Sequence, residues 1–230
     1  MTSKVIAVVG ASRGIGKAIV LQLAKDKSNT VIALSRNLKQ MQADYTQENV
    51  VTGQIDLASE NLHQELELVL STFPRVDILI NNAGLLIKKP FLELTREDID
   101  ACYQVNSIGA IYATQYFVPK MLEHGGHILN ISSMGAFQGS VKFPELSAYS
   151  TSKAGIASFT ELFAEEYKET KIKMNCLCLG AVQTEMFEAA FPGAQAPMQP
   201  VEIAQFIVDF ALKTGNYFNG KVLPVSISTP

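Results

Sequence analysis

The stretch Val5-Ile-Ala-Val-Val9-Gly10-Ala-Ser-Arg13-Gly14-Ile-Gly16 decides how the rest of the chain is read. An unbroken apolar run rich in valine suits a strand buried on both faces. It passes straight into a glycine-rich turn, and the turn opens a helical pattern over Ile15–Lys27. The same alternation continues outward. Apolar runs recur at Val31–Leu34, Val50–Ile55, Val76–Ile80, His127–Ile131, Ile172–Leu179 and Val222–Val225. Helical periodicity lies between them, near Leu38–Tyr45, Asn61–Phe73, Arg96–Glu123, Ala148–Thr170 and Val201–Lys213.

Strand and helix alternating in this way predict an α/β fold. The form expected is a single-domain Rossmann-type doubly wound sheet of about seven mainly parallel strands, flanked by helices on both faces. Ligands then collect at the carboxyl ends of the strands. There is no repeat, low-complexity segment or linker, so residues 1–230 are expected to form one domain. Thr95-Arg-Glu-Asp98 has the pattern of a capping box opening the fourth helix, and Pro200 suits the entry of the last.

Composition narrows the function classes. Nineteen basic residues meet 22 acidic ones, for a formal net charge of −3, with no long run of either sign. Nucleic acid is therefore not expected as a partner. No apolar run reaches the ~20 residues that span a bilayer, so no membrane partner is expected. Met1-Thr2-Ser3-Lys4 leads directly into the first strand, which leaves no room for a signal peptide. Cys176 and Cys178 stand two apart in an apolar run, where they share one strand face as small core residues. With Cys102 they make three, and no second Cys/His pair has metal-ligand spacing, so no metal is expected. A reducing compartment, the cytoplasm, fits this usage.

Two ends of the sheet carry the chemistry. Gly10, Gly14 and Gly16 would let the backbone approach a pyrophosphate seated on free N–H groups at the helix start, although such turns also have purely structural uses. The second run ends Ser35-Arg36, and no acidic residue follows until Asp44. Arg36, with Arg13 from the turn, would accommodate the 2′-phosphate of NADP, where an acidic residue would bind the NAD ribose. Solvated surface arginines are the alternative. Asp56 would accept from the adenine amino group, or else cap a helix. At the other end, Tyr149-Ser-Thr-Ser-Lys153 puts a phenol and an ammonium on one helix face, where the cation would lower the phenol's pKa. Ser132 and Ser133 close the fifth run, within reach of a developing oxyanion.

Taken in order, Gly10–Gly16, Asn81-Asn82-Ala83-Gly84, Asn106, Ser132-Ser133, Tyr149–Lys153 and Gly180-Ala-Val-Gln-Thr184 resemble the short-chain dehydrogenase/reductase family, in its compact non-extended branch. The resemblance covers nearly the whole chain. It implies that Tyr149 is the general acid/base, that Lys153 lowers its pKa and holds the nicotinamide ribose, and that Ser133 orients the carbonyl. It further implies that Asn106 holds a water in a proton relay. It places Asn82, Ala83 and Gly84 on the adenosine side and Gly180, Val182 and Thr184 towards the carboxamide. Ser12, Ile15, Leu57 and Val105 complete the cofactor set that it implies. NADP(H) in preference to NAD(H), a small carbonyl or secondary-alcohol substrate, and a homodimer or homotetramer follow in the same way.

The chain departs from the family pattern in four places. Ser133 and Tyr149 are further apart than usual, which predicts a small insertion within Gln138–Leu146, beside the substrate, and leaves Ser132 and Ser133 both as candidates. Leu179 replaces the usual proline before Gly180. The apolar, proline-containing loop Glu185–Gln199 is shorter than the usual lid. Val225-Ser-Ile-Ser-Thr-Pro230 lacks the terminal glycine pair, which weighs against the usual tetramer contacts and leaves a dimer through the fourth and fifth helices. Two other functions compete with the reductase: reduction of a 3-oxoacyl thioester on an acyl-carrier protein, and a non-catalytic NADP-binding regulatory module.

Overall fold

A computed structural model describes residues 3–227. Met1, Thr2 and Ser228–Pro230 lie outside the described residues, and with them part of the expectations about a leader and about the C-terminal tetramer contacts. Seven strands form one parallel sheet: β1 Val5–Val9, β2 Thr30–Ser35, β3 Val50–Gln54, β4 Ile78–Asn81, β5 Gly126–Ser133, β6 Ile172–Leu179 and β7 Lys221–Val225. The spatial order is β3-β2-β1-β4-β5-β6-β7. The order reverses beside β1, which pairs with both β2 and β4, and a crevice opens there at the strand ends. The Rossmann-type doubly wound sheet expected from the sequence is the fold found.

The helices are α1 Gly14–Leu23, α2 Leu38–Asp44, α3 Leu62–Leu70, α4 Arg96–Tyr103, α5 Gly109–Phe117, α6 Ser147–Glu166, α7 Glu185–Ala190 and α8 Pro200–Lys213. Successive strand residues serve opposite faces. Ile6 and Val8 pack with Ile19 and Leu23 of α1 and Ile207 of α8. Ala7 and Val9 pack with Leu66 of α3 and Phe117 of α5 on the other face. Cys176 and Cys178 are buried beside Met134 and Ala157, as expected of two small core residues on one strand face. The Thr95 capping box is present, with Thr95 Oγ1 accepting from Asp98 N–H and Asp98 Oδ2 accepting from Thr95 N–H. β7 lies at one edge of the sheet and carries an exposed Pro224.

Two readings of the sequence need refinement. The pattern over Arg96–Glu123 is continuously helical from Arg96 to Lys120, but it is not α-helical throughout. A π-helical segment, Gln104–Ile108, separates α4 from α5, and a 3-10 turn, Val118–Lys120, follows. The change of winding lies where α5 crosses the loop after β3. A Cβ on Gly109 would stand 2.3 Å from the Leu57 carbonyl oxygen, so the two backbones are in contact there. The segment Glu185–Gln199 is not wholly a loop either. It begins with α7, capped by Thr184, and its far end is strapped back: Val182 bridges Met198, and Ala196 N–H donates to Gln183 Oε1 at 2.7 Å.

A buried polar ladder ties α6 to the sheet. Asn81 Nδ2 donates to Thr114 Oγ1 and to Asn130 Oδ1, and Asn130 Nδ2 donates to Thr160 Oγ1 on α6. Asn81 Oδ1 is left without a partner, but the two amide donors of Asn81 and Asn130 are paired, and the ladder links α6 to β5 through Thr160.

Candidate active site

The glycine turn after β1 is shaped by contacts no side chain could share. Gly10 has φ +84°, and a Cβ there would meet the Ala83 backbone at 2.5 Å. A Cβ on Gly16 would lie 2.0 Å from the Gly10 carbonyl oxygen, so α1 starts hard against the turn. Gly10 and Ala11 N–H both donate to Leu34 O, at 2.8 and 3.1 Å. Asn82 Nδ2 donates to Gly10 O at 2.9 Å, and Ser35 Oγ donates to Ser12 Oγ at 2.9 Å. The buried Tyr45 donates its hydroxyl to Ala11 O from beneath. Sequence reading missed Tyr45. Its only signal was its place at the end of an amphipathic helix, which serves equally for core packing.

This turn forms one end of a cavity of about 550 Å³. Of the residues assigned from the sequence to catalysis or cofactor binding, all line it except Gly16 and Asn106. Arg13, Ser35, Arg36, Asp56 and Leu57 lie at the end nearest β2 and β3, and neither guanidinium forms an ion pair with a described residue. Asp56 caps no helix. Its Oδ1 accepts from Ala58 N–H at 3.0 Å, and α3 is preceded by Asn61. The cradle suits a dinucleotide: a glycine turn at a helix start, with cations beyond it and Thr184 and Glu185 facing Gly14 across it.

At the other end, β5 and α6 bring Ser133, Tyr149 and Lys153 to the wall of the same cavity. Ser132 also reaches it, but is buried and donates to Lys153 O at 2.8 Å. Ser133 is half-buried beside Tyr149, accepting from Gly135 N–H at 3.3 Å. Lys153 is 4% exposed, and its ammonium donates to Ala83 O at 3.1 Å and Ile131 O at 2.9 Å. An ammonium has three N–H donors, so one remains for a ligand.

The electrostatics differ from expectation. Burial pushes the Tyr149 phenol up, and the Ser133 hydroxyl opposes this only in part. Burial pushes Lys153 down to about 8. The sequence spacing implied that the lysine cation lowers the tyrosine. Here the cation is turned onto two carbonyls, and desolvation of the phenolate decides the direction instead.

Asn106 lies in the π-helical segment with its amide fully engaged. Oδ1 accepts from Leu85 N–H at 2.8 Å, while Nδ2 donates to Leu85 O and Ser152 Oγ at 2.8 and 2.9 Å. The side chain therefore braces the loop after β4 against α6 and does not reach the cavity.

Fold and cavity together define an oxidoreductase of the α/β dinucleotide-binding class. The chain belongs to the short-chain dehydrogenase family: a family model described as short chain dehydrogenase matches residues 4–195. Among its relatives, the 3-oxoacyl-[acyl-carrier-protein] reductase FabG of Thermotoga maritima is 29% identical, covering 98% of this chain and 97% of its own. The hydroxynaphthalene reductase-like protein Arp2 of Metarhizium robertsii is 32% identical, over 82% of this chain and 72% of its own. The 3-ketoacyl-(acyl-carrier-protein) reductase of Brucella melitensis, solved in complex with NADH, superposes with a TM-score of 0.85 at 24% identity, over 97% of this chain and 96% of its own. Levodione reductase gives 0.87 at 23%, over 98% and 96%. At these identities the two structures speak for the fold.

Proposed function

We propose that the chain is an NADPH-dependent carbonyl reductase in which Tyr149 is the general acid. The observation that carries this reading is convergence: the glycine cradle, the Arg13/Arg36 end and the Ser133–Tyr149–Lys153 end share one cavity. The bound nicotinamide would supply the hydride. Ser133 would donate its hydroxyl hydrogen to the carbonyl oxygen, fixing its position and stabilising the charge that develops there. Tyr149, held protonated by burial, would deliver the proton to that oxygen and complete the alcohol. Lys153 would hold a ribose hydroxyl with its remaining N–H. Asn106 would act by bracing Leu85, since its side chain has no free donor for a relay water. NADP preference rests on Arg13 and Arg36 lying unpaired where a 2′-phosphate would sit, with no acidic residue at the end of β2.

Reduction of a 3-oxoacyl thioester is the second reading, favoured by the full-length likeness to the Thermotoga relative. A purely regulatory NADP-binding module gives no account of a serine hydroxyl brought beside a buried tyrosine, with a buried lysine lining the same cavity. The three free cysteines suit a reducing compartment, and no helix of the described residues is long and apolar enough to cross a membrane. We assign the chain to the cytoplasm, as a homodimer. The test is NADPH oxidation against a carbonyl panel that includes a 3-oxoacyl thioester, with wild type and Tyr149→Phe compared. Loss of about 10²- to 10⁴-fold in kcat in the variant is expected. Unchanged activity would sink the mechanism, and NADPH binding without any turnover would return the regulatory reading.

A further inference from the structure

The substrate end of the cavity is apolar, and its charges are accounted for. Met134, Phe143 and Leu146 line it from the β5–α6 connection, with Phe187 and Phe191 facing from α7 and its end. The charged residues among the described lining are Arg13, Arg36, Asp56, Lys153 and Glu185. The first three belong to the adenosine end. The ammonium of Lys153 is engaged by two carbonyls, and Glu185 lies against Gly14 at the pyrophosphate turn.

Three lysines stand near the rim, and each already has a partner. Lys89 is paired with Asp98 at 2.6 Å. Lys142 donates to Phe137 O and to Ser140 Oγ. Lys88 is the informative one. Its Nζ lies 3.4 Å from Glu145 Oε2 and 4.7 Å from the centre of the Phe191 ring. It thus joins the insertion before α6 to the segment after α7, on the two sides of the substrate end. Glu145 is fixed for the task. It is the one non-glycine residue at positive φ among those described, at 67°, and its carbonyl accepts from Lys89 N–H at 3.0 Å. A left-handed glutamate is strained, and such strain persists where surrounding contacts hold it. Here Lys88 and Lys89 hold it from both ends.

We propose that the site takes a carbonyl carried on an apolar, uncharged body, and that Glu145, by engaging Lys88, withholds the cation that an anionic substrate would need. The inference rests on the reductase reading of the cavity and narrows it to a substrate class. A carboxylate or phosphate placed among Met134, Phe143, Phe187 and Phe191 would lose part of its water and find no cation among the residues lining that end, whereas an apolar body gains by the same burial.

The test compares acetophenone, benzaldehyde and cyclohexanone with their ring-carboxylate analogues. It uses NADPH with wild type, Glu145→Gln and Phe143→Arg. Wild type is expected to favour each neutral compound by at least about 100-fold in kcat/KM, the size of an unpaired buried charge. Glu145→Gln frees Lys88, and the penalty on the carboxylates should shrink about 3- to 10-fold. Phe143→Arg, at an exposed loop position that tolerates the change, should shrink it further. A wild type that reduces the carboxylates as well as the neutral compounds would overturn the proposal. Dissociation constants for the same pairs, from quenching of NADPH fluorescence on Tyr149→Phe, decide the substrate class without turnover. Tighter binding of the neutral members upholds the proposal even if the reductase reading fails. Equal binding, or no binding of any member at millimolar concentration, defeats it.

Discussion

At the scale of single residues, Lys153 is the group whose protonation state is most exposed to experiment. Its pKa falls from the usual 10.5 to about 8 because folding buries it, while the unfolded chain keeps the ordinary value. Between pH 8 and 10.5 the unfolded state therefore binds more protons, and stability rises with pH through that window. The full swing amounts to roughly 3 kcal/mol in the cofactor-free protein. Thermal unfolding of wild type and Lys153→Met at pH 7 and pH 10 should show the wild type gaining on the variant as pH rises. A constant gap would mean that burial does not lower the lysine's pKa and that it stays charged in the folded state up to pH 10. Arg36 makes a second residue-scale prediction. Arg36→Ala should lower kcat/KM with NADPH by at least about 10-fold and leave NADH nearly unchanged, the loss expected of one desolvated phosphate contact. Sequence spacing was sufficient to put Tyr149 and Lys153 on one helix face, because helix periodicity carries side chains to predictable faces, whereas Ser133 was preferred to Ser132 only through the family resemblance. The Lys88–Glu145 pair was not legible, since only the folded chain brings those two loops together.

At the scale of elements, the interruption at Gln104–Ile108 is the feature that a periodic reading could not reveal. Apolar spacing continues through it, with no proline to mark it. The signal was Gly109, whose meaning depends on Leu57 crossing overhead. Gly109→Ala would force those backbones apart. A stability loss of about 1–3 kcal/mol is expected, with weaker dinucleotide binding because Leu57 lines the cavity. Chemical denaturation and cofactor titration of the variant would read both. The strands were legible to within about two residues at each end, because both faces of the sheet are buried and the apolar runs are continuous.

His127 at the start of β5 adds a pH prediction at this scale. Its Nδ1 faces Ala211 O at 3.0 Å in α8, and its Nε2 faces Asn175 Nδ2 at 3.1 Å in β6. That arrangement suits a neutral ring, Nδ1 donating and Nε2 accepting. Burial lowers its pKa, partly opposed by the Ala211 carbonyl. The unfolded histidine, at the ordinary value of about 6.5, takes up a proton where the folded one does not, so stability is lost as pH falls below that value. The unfolding midpoint should drop on going from pH 7 to pH 5, and His127→Gln should flatten that slope. A variant as pH-sensitive as wild type would place the titration elsewhere.

At the scale of the whole molecule, the sheet order sets where chemistry can occur, and the helices set where another copy can dock. Ile108 and Tyr112 flank the start of α5 and Leu162 lies on α6, all of them large, apolar and exposed. Light scattering should give a dimer, and Ile108→Glu with Leu162→Glu should give a monomer. A wild-type monomer would end the dimer assignment.

Pro224 bears on the same question from the opposite side. An edge strand is a template on which a foreign strand can extend the ladder, and a proline in it supplies no amide hydrogen for the next rung. The five residues that complete this side of the sheet therefore also terminate it, guarding a valine-rich chain against aggregation along that edge, while β3 at the opposite edge has no such stop.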